Sequence, residues 1–218
     1  MKVTYGAIVQ RASGRFGGTV HSNWKGVDVV RRFAKPSNPN TANQQHVRQA
    51  FRGLTRMYSV LSTNVLASWT SYAVGKQLIA RNKFIGVNVP LISAATDIAD
   101  LPPTPGDAGT IPPVSFSANG GVGQITTTIT APTPPSGWTL LGATACCVAA
   151  EWNPQSATPP TYEELRFYEA EDLVAPYAPT ISGLAPNNYF TWAFLAWEDP
   201  SGVTRYSAPV AGGTQTVT

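Results

Sequence analysis

The chain has 218 residues, 43% hydrophobic and 12% charged, with six Trp, eight Tyr, eight Phe and nineteen each of Gly and Pro. The aromatics argue against disorder, and a charged fraction about half the typical ~25% excludes the usual look of a doubly wound enzyme in favour of β-domains with polar, uncharged surfaces. The formal charge of +3 conceals a segregation: thirteen Lys and Arg against Asp28, Asp97 and Asp100 give residues 1–100 a net +10, while Arg166 and Arg205 against nine acids give residues 101–218 a net −7.

The chain opens with signals for a small β-structure. Residues 3–5 and 8–10 are β-prone, residues 13–18 are a glycine-rich connection, and Thr19-Val20 and residues 27–30 continue as strands about a Trp24-Lys25-Gly26 turn. No signal-peptide pattern is seen at the N-terminus. The most apolar stretch, residues 138–150, is too short to span a bilayer, so a soluble protein without a membrane partner, made in a cytoplasm, is expected. Residues 35–40 contain two prolines and form a loop.

A helix follows. Asn40 or Thr41 caps it, and Thr41-Ala42-Asn43-Gln44 has capping-box spacing. Val47, Phe51, Leu54, Tyr58, Leu61 and Val65 predict one apolar stripe, and Arg48, Arg52 and Arg56 lie four apart on another line. Leu66, Trp69 and Ala73 continue a shorter segment that stops at Gly75, which reads as a helical pair or one kinked helix. Residues 78–92 are expected to be extended, with Asn88-Val89-Pro90 ending regular structure.

Residues 100–113 contain five prolines and predict a stiff linker. The helical period disappears beyond it. Strands are expected at residues 114–116, 125–129, 144–152, 165–169, 180–182, 189–197 and 203–206, a spacing typical of an antiparallel sandwich. The organisation is thus a basic α+β docking domain of small β-hairpins and one or two helices (1–99), a proline-rich linker (100–113) and an all-β sandwich (114–218).

Catalytic chemistry has little to work with. His21 and His46 have no cysteine beside them, and Cys146-Cys147 are adjacent, so a strand sends them to opposite faces as buried thiols. Residues 13–18 lack the Lys-Ser/Thr of a P-loop. The acids Glu163, Glu164, Glu169, Glu171 and Asp172 lack a cation-loop spacing and read as a solvated face. No enzyme, metal or cofactor is expected. The basic half carries the signal: no acid lies between Asp28 and Asp97, and like charges at i, i+4 repel unless something anionic sits opposite. Arg31, Arg32, Lys35, Arg48, Arg52 and Arg56 are the candidate partner-binding residues, with an acidic protein, nucleic acid or the chain's own acidic half as the alternatives.

Asn23-Trp24-Lys25-Gly26-Val27-Asp28, the basic strand end Arg31-Arg32, the Pro39-Asn40-Thr41 turn into a helix bearing Gln44, and Trp69 resemble small proteins of bacteriophage and prophage structural-gene regions. The resemblance covers roughly residues 6–90 and implies a context, the virion, more than a mechanism. Leu184-Ala185-Pro186-Asn187-Asn188-Tyr189 is similar to the entry to the sixth strand of fibronectin type III and related Ig-like domains, with Glu198-Asp199-Pro200-Ser201-Gly202 as a following hairpin and Trp152 as a core aromatic. The resemblance implies binding and display on a capsid or tail. The expected role is a capsid-associated decoration or cement protein that contacts a major capsid or other lattice protein and forms homo-oligomers. A tail or head–tail component, and a nucleic-acid-binding protein using the Arg48/Arg52/Arg56 face, are the alternatives.

Overall fold

The computed structural model describes residues 12–24, 27–35, 37–94 and 98–218. The strand candidates at 3–5 and 8–10, and Lys25-Gly26 of the expected turn, lie outside the described residues. The chain forms two compact units, Met1–Asn40 and Thr41–Thr218.

In the first unit, β1 (Gly14–Phe16), β2 (Thr19–Trp24) and β3 (Val27–Arg32) form an antiparallel sheet in that order. Gly17, at φ 56°, turns β1 into β2. Part of the expected glycine-rich connection is therefore a strand. Arg15, Val20 and Arg31 stand in one cross-strand row, and Phe16, Thr19 and Arg32 in the next, so the two rows present opposite faces. No described side chain of this unit is buried.

The second unit begins with three helices, α1 (Ala42–Tyr58), α2 (Thr63–Ala73) and α3 (Ala80–Ile92). Thr41 caps α1, its hydroxyl accepting from the Gln44 N–H at 3.4 Å. The helix is interrupted between Tyr58 and Thr63, ahead of Asn64, and the helical pair is the form adopted. Residues 78–92 overturn the extended expectation. Phe84, Ile85, Asn88 and Ile92 are buried at helical spacing, and this packing outweighs the β-prone Val87-Asn88-Val89 run. Pro90 sits in the final turn, where the helix is about to stop in any case.

The β region is antiparallel throughout and forms two sheets. β4 (Ser115–Gly121), β5 (Gln124–Thr130) and β8 (Thr180–Ser182) make the first, in the order β4-β5-β8. The second runs β10-β9-β6-β7, where β6 is Thr139–Ala149, β7 Tyr168–Asp172, β9 Asn187–Glu198 and β10 Thr204–Tyr206. β11 (Val210–Val217) pairs with β9 on the edge that β10 begins. A four-residue helix, α4 (Tyr162–Leu165), precedes β7. The expected hairpin after Glu198 is present, closed by Asp199 and Val203.

The long strands β6 and β9 serve two cores. Alternate residues Ala143, Ala145, Cys147, Ala193, Leu195 and Trp197 meet Ile125, Ile129 and Ile181 of the first sheet. The residues between them, Cys146, Val148, Trp192, Phe194 and Ala196, meet Leu54, Met57, Trp69 and Phe84 of the helices. This explains why β6 and β9 read as nearly continuous apolar runs: both faces are covered. Trp152 is buried in the helix-side core and lies after the end of β6, its indole against Gly53 of α1; a Cβ on Gly53 would fall 2.4 Å from the ring.

The proline-rich segment expected as a linker is packed along this unit. Leu101, Pro103, Thr104 and Asp107 are buried. Two indoles grip it, Trp69 donating to the Pro103 carbonyl at 2.7 Å and Trp197 to the Ile111 carbonyl at 3.1 Å. The Asp107 N–H donates to the Tyr206 carbonyl at 2.8 Å and its carboxylate accepts from the Tyr206 N–H at 3.1 Å, while Thr104 donates to the Ser207 carbonyl. Gly109, at φ 87°, lies where a Cβ would strike Trp138. Prolines suit this path because it follows an edge with few ladder bonds to make. The helices and sheets therefore share one compact unit, Thr41–Thr218, which includes the proline-rich segment.

Candidate docking surface

The six candidate basic residues do not form a single patch. In the first unit Arg31 and Arg32 are neighbours on β3 and so lie on opposite faces, both exposed; Lys35 is exposed beyond the strand. Arg15, which the sequence did not single out, shares the cross-strand row of Arg31. Its guanidinium lies 3.8 Å from the Phe33 ring centroid. Phe16 is 81% exposed at the start of the opposite face. Arginine and aromatic side chains are the types that anchor protein interfaces, and here they stand on a sheet without buried residues among those described.

On α1, Arg48 and Arg52 are exposed, whereas Arg56 is half-buried and donates from Nη1 to the Pro160 carbonyl at 2.9 Å. Arg56 thus ties α1 to the loop before α4 and is set apart from the other two. The buried face of α1 is Ala50, Gly53, Leu54 and Met57, so of the expected stripe Leu54, with Val65 of α2, is buried, whereas Val47 and Phe51 are exposed. Val47 is 46% exposed and Phe51 52%, flanking Arg48 and Arg52, and Val47 and Arg48 border a shallow hollow of about 350 Å³ with Asn43 and Gln44. The sequence reading favoured the larger apolar side chains. The signal that would have corrected it is the run Ala50, Gly53, Leu54, Met57, also at helical spacing, whose small members admit Trp152.

The acidic cluster is put to structural use. Glu169 caps α2, its two carboxylate oxygens accepting from the Asn64 N–H at 3.0 and 3.1 Å, where Ser62 makes no side-chain cap bond. Glu164 and Thr161 form a capping box on α4. Asp172 accepts from the Val174 and Ala178 N–H groups, and Glu163 pairs at 3.9 Å with Arg166. Glu171 is exposed, beside Leu173 and Val174, which are 63% and 73% exposed at the end of β7.

Other polar features belong to the scaffold. Lys76 Nζ sits 3.1 Å from the Tyr72 ring centroid, and Arg205 donates to Asp199 at 3.1 Å, within a groove of about 700 Å³ that also reaches Trp138. Its cations are thus already matched. His21 meets the Thr19 hydroxyl at 3.2 Å and His46 is half-buried in the first turn of α1. Cys146 and Cys147 point into different cores as free thiols. Burial pushes the Cys147 thiol up to about 12 and Cys146 well above its ordinary value. Among the described residues no three His, Cys, Asp or Glu converge as metal ligands, and no helix is long and apolar enough to cross a membrane. No protein-family model matches the chain, and no curated protein is similar to it.

Proposed function

We propose that this chain is a structural protein of a phage virion, a capsid-associated decoration or cement protein that docks through basic side chains and displays a β-sandwich. The observation that carries the reading is the first unit: a three-stranded sheet with no buried side chain among those described, bearing exposed Arg15, Arg31, Arg32 and Lys35. The described residues give this sheet no buried apolar face of the kind that stabilises three strands, and an acidic partner surface would supply counter-charge and cover. Arg48 and Arg52 extend the docking role to the second unit, and bidentate arginine suits carboxylates of a lattice protein.

We assign the β region to the fibronectin type III or Ig-like class. Counting β10 and β11 as one interrupted strand, its first, second and fifth strands share one sheet, and the fourth, third, sixth and seventh follow one another in the other. The Tyr189 hydroxyl donates to the Ala185 carbonyl at 3.1 Å, the back-bond of a tyrosine corner at the entry to the sixth strand. The role is binding, not catalysis. Mass spectrometry of purified particles tests it: stoichiometric presence with the capsid supports it, confinement to tails moves it to a tail component, and absence from particles refutes it. Arg52→Glu should lower incorporation without unfolding the chain.

One observation favours a second reading. The exposed arginines Arg48 and Arg52 stand one turn apart on a helix with no acid in its first turn, an arrangement that also fits phosphates. Affinity for arbitrary DNA that falls steeply with salt would support it.

A further inference from the structure

We propose that the outer face of α1 docks against the end of β7 on a second copy of this chain. The inference rests on reading the Arg48/Arg52 face as a docking surface, and it names that face's partner. Two patches of the same compact unit carry it. On α1, exposed Val47 and Phe51 alternate with exposed Arg48 and Arg52, and residues 42–58 contain no acid. At the end of β7, the strand that terminates the five-stranded sheet, exposed Leu173 and Val174 follow exposed Glu171. Each patch pairs apolar area with charge of one sign, and the signs are opposite. Both are exposed, so neither covers the other within one copy.

The complementarity extends to the kind of side chain. Phe51 is the aromatic anchor that interface centres favour, and Arg52 beside it can reach a carboxylate while its stem stays on apolar surface. Leu173 and Val174 give Phe51 an apolar bed, with Glu171 at its margin. The other acids near β7 are already engaged: Glu169 on the α2 cap, Asp172 on two backbone N–H groups and Glu163 on Arg166. Because the two patches differ, the contact is head-to-tail, and it repeats from copy to copy into a ring or an open chain. This is the form of association that a protein repeated over a shell or along a tube requires.

Sedimentation velocity on the full chain tests the proposal, with circular dichroism as the check on folding. The wild type should self-associate as its concentration rises. Phe51→Asp and Leu173→Asp, both at exposed positions, should each weaken association roughly thirtyfold, as expected for interface anchors. A mixture of the two variants should form a heterodimer that grows no further, because each contributes the one surface the other has lost. A wild type that stays monomeric, or a Phe51→Asp variant that associates normally, overturns the proposal. So does a mixture that forms no heterodimer; the first unit of the chain or a different protein would then be the cover of α1. Failure here leaves the virion role standing if particles contain the chain, and absence from particles alongside self-association has the converse meaning.

Discussion

The chain builds a three-stranded antiparallel sheet twice, with opposite results. In β4-β5-β8, Ile125, Ile129 and Ile181 are buried against a second sheet. In β1-β2-β3, no described side chain is buried and Phe16 stands in solvent. Strand count and hydrogen-bond ladders are alike, so the difference lies in what faces each sheet. Ladder bonds replace bonds to water and contribute little net stability, whereas apolar burial is the dominant favourable contribution. Among the described residues the first sheet buries no side chain, whereas the second is part of a core.

Proteolysis gives the largest expected contrast. Limiting protease should cut first around residues 33–41 and leave residues 41–218 as a resistant fragment, with 100–113 uncut because Leu101, Pro103, Thr104, Asp107 and Pro113 are buried and two indoles grip it. Early cleavage within 100–113 would break the comparison. Core truncation comes next. Trp192→Ala, which removes a buried ring packed against Phe167 and Phe190, should cost about 4 kcal/mol of the denaturant-unfolding free energy. Phe16→Ala should change it by less than about 0.5 kcal/mol, and a larger loss would mean that the first sheet already has cover.

Smaller effects probe single bonds. Glu169→Ala removes the cap of α2 and should cost about 1 kcal/mol in the same assay. The smallest effect concerns acid. The Val203 N–H first, with Arg205 and the Ser201 N–H, holds the Asp199 carboxyl below the usual aspartate range, against a partial offset from desolvation. A depressed folded value means that this contribution to the β9–β10 hairpin is complete above the unfolded value and disappears as pH falls through the folded one. Protection of the Val203 amide, measured against the intrinsic exchange rate at each pH, should therefore fall only in acid, and Asp199→Asn should abolish that pH dependence.

Much of the β region was legible because its residues repeat a simple physical pattern. The alternation of Ile125, Thr126, Thr127, Thr128 and Ile129 marks a half-buried strand, and Tyr189 to Trp197 marks one covered on both sides. Thr41 announced α1 through its cap. What escaped depends on distant partners. α3 is a helix because Phe84, Ile85, Asn88 and Ile92 find cover, a fact absent from local propensity. Composition marked 100–113 as a linker, yet Trp69 and Trp197 bind its carbonyls from far along the chain. β11, with Gly212-Gly213 and a register shift beside them, shows little of the β-propensity that marks a strand. Among the candidate arginines, spacing grouped Arg56 with Arg48 and Arg52; only the position of the Pro160 carbonyl separates it from them.

The two-sided burial of β6 and β9 bears on how such a chain can be recombined. A domain that can be exchanged between genes must bury its own apolar surface. Here one surface of the second sheet, with Cys146, Val148, Trp192 and Phe194, is sealed by helices encoded upstream. A cassette cut at residue 114 would carry that surface into water and invite aggregation. The smallest exchangeable cassette is therefore residues 41–218, and the joint that evolution or an engineer can vary freely lies before Thr41.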